Sequence, residues 1–140
     1  MRITAGIRNS LEGHTATVST QGRDREVPIP PRSEGRGSAV NGGELLFLAL
    51  ATCYGNDVYR EAAAAGIPID AVEVTVEGEF GGPGDPAHGI TYRVVVTSPA
   101  ETDVVRELLR RTDGLAEIQN TLRVGTPVIL DSVEVRTPAG

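Results

Sequence analysis

The side-chain chemistry open to this chain converges on one thiol. Cys53, in Leu48-Ala-Leu-Ala-Thr-Cys-Tyr-Gly-Asn-Asp-Val-Tyr-Arg60, is its only cysteine. A thiol attacks peroxides or disulfides as the thiolate, so its ordinary pKa of about 8.5 has to be lowered by positive charge or hydrogen-bond donors. In a helix, the face of Cys53 also carries Asp57 at i+4, which opposes ionisation, and Arg60 at i+7, which favours it. The local sequence leaves that balance open. Reaction with a peroxide gives a sulfenic acid, and a chain with no second thiol cannot resolve it internally. Recycling then falls to an external thiol or to Cys53 of a second copy. The first is preferred, because symmetry-related helix cysteines meet only near a two-fold axis. The competing reading is an inert cysteine packed on an apolar helix.

Other candidate groups are weaker. Glu44 reads first as a helix-capping carboxylate and second as an acidic partner of Cys53. Asn120 and Arg123 read as turn and surface residues, with pocket lining as the alternative. His14 and His88 fall in a strand and a turn, and one Cys without a His pair at ligand spacing argues against a metal site. The glycines of GGPGDPAHG lack the Lys-Ser/Thr and the following helix of a phosphate loop.

The rest of the composition bounds the function further. A formal charge of −6 and a pI near 4.9 disfavour a nucleic-acid or anionic-membrane surface. All 13 basic residues are Arg, so amine nucleophiles and Schiff bases are excluded. A lone cysteine cannot form an intramolecular disulfide and fits a reducing compartment. The opening MRITAGIRNSLEGH lacks the apolar core of a secretory signal, and the run Leu45 to Ala51 is too short to span a bilayer. A cytoplasmic location is the expectation, and 140 residues suggest one domain over 1–140.

The elements that must position Cys53 follow from pattern. Residues 1–30 alternate as two or three short antiparallel strands with a break at 22–24. The Pro- and Gly-rich stretch at 30–43 reads as a loop. Asn41 followed by Glu44 predicts a capping box opening a helix over about 43–65, closed by Gly66 and Pro68. Its first half is apolar on every side and has to be covered on every side, by this chain or by a partner. AVEVTVEGEF at 71–80 and ITYRVVVTS predict a hairpin across GGPGDPAHG. Ser98-Pro-Ala-Glu101 predicts a helix start and Gly114 its end, with a short helix or turn over 116–122. VILDSVEVRT, after Pro127, reads as a last strand. The order gives an α+β fold with mostly antiparallel strands.

Two stretches, GGELLFLALATCYGNDVYREAAAAGIPIDAVEVTVEGEF at 42–80 and AEIQNTLRVGTPVIL at 116–130, together resemble the osmotically inducible protein C / organic hydroperoxide resistance (OsmC/Ohr) family. The shared features are a Glu-Leu-Leu helix leading to Ala-x-Cys, a Gly-Ile exit into a strand, and a later Asn-Thr-Leu-x-x-Gly-x-Pro-Val. The resemblance implies an OsmC-like domain built around a long central Cys-bearing helix, in an intertwined homodimer. It implies thiol-dependent reduction of organic hydroperoxides, with neither metal nor flavin. It also implies a second cysteine, whose place falls at about Ala116, and an acidic residue whose register falls on Gly43, one position before Glu44. The arginine facing the thiolate would come from the N-terminal strands or loop, among Arg8, Arg23, Arg25, Arg32 and Arg36. Two functions are therefore expected in competition. One is hydroperoxide reduction by Cys53, with Glu44 as its acidic partner and an external thiol as reductant. The other is a non-catalytic dimer that binds a small apolar ligand, with Cys53 structural.

Overall fold

The alternation near the N-terminus becomes three antiparallel strands in a computed structural model that describes residues 1–139. Strand β1 (Ile3–Ser10) pairs with β2 (Gly13–Thr20), and β2 with β3 (Arg23–Glu26), in the order β1-β2-β3. The second turn is tight because Gln21 and Gly22 both take positive φ, 53° and 79°, the backbone that matches the twist of a two-residue hairpin. That turn places the break one residue earlier than expected and leaves room for β3. The following loop closes on itself: Ala39 N–H donates to the Pro30 carbonyl and Arg32 N–H to that of Gly37.

Helix α1 (Gly42–Ala65) starts at the expected capping box. Glu44 N–H donates to Asn41 Oδ1 at 2.8 Å, and Asn41 N–H donates to Glu44 Oε1 at 3.0 Å, so two otherwise orphaned N–H groups are satisfied reciprocally. The helix ends at Gly66, whose φ of 67° turns the chain. Ile67 N–H then reaches back to the Ala62 carbonyl and Gly66 N–H to that of Ala63, the double bond of a glycine-terminated helix.

Strands β4 (Ala71–Glu79) and β5 (His88–Thr97) form a two-stranded sheet. Its antiparallel sense follows from the Asp70 N–H bond to the Thr97 carbonyl at the open end. Val72, Val74 and Val76 turn inward along β4 while Glu73, Thr75 and Glu77 face out, the period of two read from the sequence. Helix α2 (Thr102–Leu115) runs past Gly114 and starts later than expected. Ser98 does not cap it: its hydroxyl donates to the Pro68 carbonyl at 2.6 Å and accepts from Ala100 N–H, a link to the α1 exit that outweighs a cap. Helix α3 (Glu117–Arg123) follows after Ala116. The architecture is α+β, and no helix is long and apolar enough to cross a membrane among the described residues.

The last expected strand does not form. Residues 126–139 lie outside any helix or strand, and Val128, Ile129, Leu130, Val133 and Val135 are all exposed. A strand exists only against a neighbour that takes its N–H and C=O groups, and no strand of this chain pairs with it among the described residues.

Two compact units divide the chain: Met1–Ala49 with Val76–Thr91, and Leu50–Thr75 with Tyr92–Gly140. In the first, Phe47 and Phe80 stack with centroids 5.8 Å apart, and two glycines make room for them. A β-carbon on Gly43 would stand 2.7 Å from Phe80 Cε2, and one on Gly78 would stand 2.8 Å from Phe47 Cζ. Leu48 nevertheless remains 60% exposed, so the described residues leave part of the apolar half of α1 bare. The core of the second unit is Tyr54, Val58 and Ala116, with Val72, Val74, Tyr92, Val94 and Leu109 against it. Full burial of a side chain such as Val58 contributes about 1.5–3 kcal/mol.

Candidate functional site

Cys53 stands on α1 at the edge of that core, half-buried, with Tyr54 and Val58 turned fully inward beside it. The next turn of the helix brings Asp57 Oδ2 within 3.8 Å of the sulfur. Glu117, 64 residues further on at the start of α3, brings Oε2 to 3.5 Å, so the thiol donates to carboxylates. Gln119 holds α3 against α1 by donating from Nε2 to the Leu50 carbonyl at 3.0 Å. Its own Oε1 is buried without a partner.

Among the described residues, one guanidinium serves this group. Arg60 Nη1 lies 3.0 Å from Asp57 Oδ1 and 3.5 Å from Glu117 Oε1, while Nε lies 3.1 Å from Glu61 Oε2. The balance that the sequence leaves open falls against ionisation of Cys53. Burial pushes the thiol up, and the charges of Asp57 and Glu117 push the same way; the Ile118 backbone N–H opposes them without prevailing. Asp57, 5% exposed, is also raised, first by burial and then by sharing a hydrogen bond with Glu117. Glu117 is lowered, first by its own backbone N–H, with help from Asp57, Cys53 and Arg60. Cys53 Sγ and the Asp57 and Glu117 oxygens lie within 4.8 Å of one another, close enough to hold a metal ion. The Arg60 guanidinium already occupies the cation's place against both carboxylates.

A second polar cluster lies in the same unit. Tyr92 donates its hydroxyl to Asp113 Oδ1, and Arg123 Nη2 binds the same oxygen at 2.7 Å. Arg123 Nη1 also donates to the Asp113 carbonyl and to Asn120 Oδ1, while Asn120 Nδ2 donates to the Gly114 carbonyl. Asn120 and Arg123 thus close the α2–α3 turn, as the turn reading expects. Asp113 is held below the usual carboxylate range, chiefly by the Tyr92 hydroxyl. Tyr54, edge-on to Tyr92 at 4.9 Å, donates to the Leu109 carbonyl, and burial pushes its phenol up to about 12.

The other candidates are placed as follows. Glu44 serves the α1 start, nine residues before Cys53. Arg8, Arg23, Arg25, Arg32 and Arg36 belong to the first unit. His14 Nδ1 meets Asn9 Nδ2 at 3.0 Å, and His88 lies 3.5 Å from Glu79 at the surface. Sequence reasoning missed Glu117. The one available signal was its place directly after Ala116, about where the resemblance implies a second cysteine.

The OsmC family model, described as OsmC-like protein, matches residues 35–131, well over half of the chain. This chain belongs to the OsmC-like family. Solved structures agree on the fold. An OsmC-like protein from Mycoplasma pneumoniae superposes with a TM-score of 0.62 at 19% identity, over 87% of this chain and 86% of that one. An organic hydroperoxide resistance protein OsmC from Legionella pneumophila gives 0.59 at 18% identity, over 88% and 90%. The organic hydroperoxide resistance protein OhrB of Bacillus subtilis gives 0.54 at 17%, over 88% and 91%. No curated protein sequence matches the chain. Ala116, about where the resemblance implies a second cysteine, is wholly buried, and position 43 is a glycine against the Phe80 ring.

Proposed function

We propose that this OsmC-like protein reduces organic hydroperoxides through Cys53, as a homodimer, with an external thiol as reductant. The observation that carries the reading is the setting of the sulfur: half-buried rather than sealed, with a proton acceptor, Glu117, at 3.5 Å. In the step, the thiol proton passes to Glu117 while the sulfur attacks the terminal hydroperoxide oxygen. The S–O bond forms as the O–O bond breaks, the alkoxide takes up a proton, and the alcohol leaves a sulfenic acid on Cys53. Ala116 offers no second sulfur, so the oxidised state waits for a thiol from outside. A chain with one unpaired cysteine fits a reducing, cytoplasmic setting.

The dimer is supported by apolar surface that a single chain leaves bare: Ile3 and Ile7 on β1, Leu48 on α1, and Val128, Ile129 and Leu130 near the C-terminus. Of these, Val128, Ile129 and Leu130 are successive in the chain and all exposed, the kind of apolar surface that marks an interaction site. Light scattering is expected to give twice the chain mass, and a monomer would remove this part of the reading.

One observation favours the alternative, a non-catalytic dimer binding a small apolar ligand: the neighbours of Cys53 raise its pKa rather than lower it. The two readings separate by trapping sulfenic acid after cumene hydroperoxide at pH 7 and pH 9. Stoichiometric trapping is expected, faster at pH 9 and absent in Cys53→Ser. No trapping at either pH leaves only ligand binding.

A further inference from the structure

We propose that Glu117 selects by charge what Cys53 reacts with, so that the external thiol is neutral or cationic and anionic thiols are disfavoured. The inference rests on the thiol chemistry proposed above and names the class of its reductant. Three carboxylates, Asp57, Glu61 and Glu117, share the single guanidinium of Arg60, which leaves an excess of negative charge in the group. Asp57 and Glu117 each touch both the sulfur and Arg60, but Asp57 is buried whereas the Glu117 side chain is 63% exposed. An arriving molecule therefore meets Glu117 before Asp57. At the few ångströms of an attacking sulfur, one unit charge changes an encounter several-fold, and a Debye length of about 8 Å at physiological salt leaves most of that effect in place.

The recycling chemistry makes the selection matter twice. A first thiol, RSH, attacks the sulfenic sulfur, forming an S–S bond as the S–O bond breaks and the oxygen leaves as water. A second RSH attacks the sulfur of the bound R group, releasing RSSR and restoring the Cys53 thiol. Both thiols pass the same carboxylate.

Because Cys53 is the only cysteine, thiol–disulfide exchange on the intact protein reports on it alone. The probes are cystamine, bis(2-hydroxyethyl) disulfide and 3,3′-dithiodipropionate, carrying positive, no and negative charge. Each rate is divided by the rate of the same probe with a free small thiol at the same pH. The normalised rates are expected to fall in that order over about tenfold, and to close to within about twofold at 1 M salt, where the Debye length is about 3 Å. Glu117→Gln is expected to close most of the gap, and Glu117→Asp to keep it. A shift in the thiol pKa scales all three rates together, so the ratio isolates charge selection from a structural effect. Equal normalised rates, or a gap that survives Glu117→Gln, overturn the assignment while leaving hydroperoxide reduction standing. Should the glutamine variant fail to fold, a gap that persists at 1 M salt in the unmodified protein overturns it as well. A sulfur inert to all three probes overturns both readings.

Discussion

The second unit holds two polar clusters made from the same parts, and they behave in opposite ways. Around Asp113, one carboxylate has one guanidinium, Arg123, and a phenol, Tyr92, so charge and hydrogen bonds balance and the carboxylate is held low. Around Cys53, one guanidinium is divided among three carboxylates, the buried Asp57 is pushed up, and the thiol with it. Stoichiometry, rather than residue type, separates a fastening from a place where a proton can move.

Removing the aromatic support is the strongest way to break the contrast. Tyr54→Ala takes away a fully buried ring that packs on Tyr92 and lies in the core beside Cys53. A loss of about 3–5 kcal/mol in urea unfolding is expected, enough to unfold many small proteins, whereas a loss under 1 kcal/mol would mean that the fastening stands without its core. Smaller is the comparison of the two arginines. Arg123→Met removes three hydrogen bonds from the α2–α3 turn and is expected to cost about 1 kcal/mol, allowing for screening at a half-exposed position. Arg60→Met is expected to shift the urea midpoint less and to slow the reaction of Cys53 with cumene hydroperoxide, because the carboxylates beside the sulfur lose the cation they share.

The smallest effect sharpens the contrast by its sign. Asp113 has a lowered folded pKa, so its contribution to stability is present above the unfolded carboxylate value and is lost as pH falls through the folded one. Asp57 has a raised folded pKa, so its contribution is present below the unfolded value and is lost as pH rises through the folded one. Urea midpoints between pH 3 and pH 7 are therefore expected to show Asp113→Asn weakest relative to the parent at pH 7, and Asp57→Asn weakest at the acid end. Parallel curves would erase the distinction between the clusters.

Much of this was legible in the sequence because it is local. The Asn41–Glu44 box, the Gly66 exit, the β4 alternation and the α2–α3 turn residues each act within a few positions of where they stand. The arrangement at the sulfur was half legible: Asp57 and Arg60 follow from helical spacing, but Glu117 arrives from 64 residues away and leaves no periodic trace. The segment after Pro127 reads as a strand because its side chains alternate, yet alternation specifies a face and does not supply the neighbour that completes a ladder.

The Gly43–Phe80 contact constrains how this chain could change. The resemblance implies an acidic register at position 43, and any β-carbon there collides with the ring as it now lies. Placing an acid there is thus a two-step path with a preferred order: a smaller residue at 80 opens the space first, and only then does a carboxylate at 43 fit without displacing an aromatic pair. A library that varies position 43 alone samples the blocked direction.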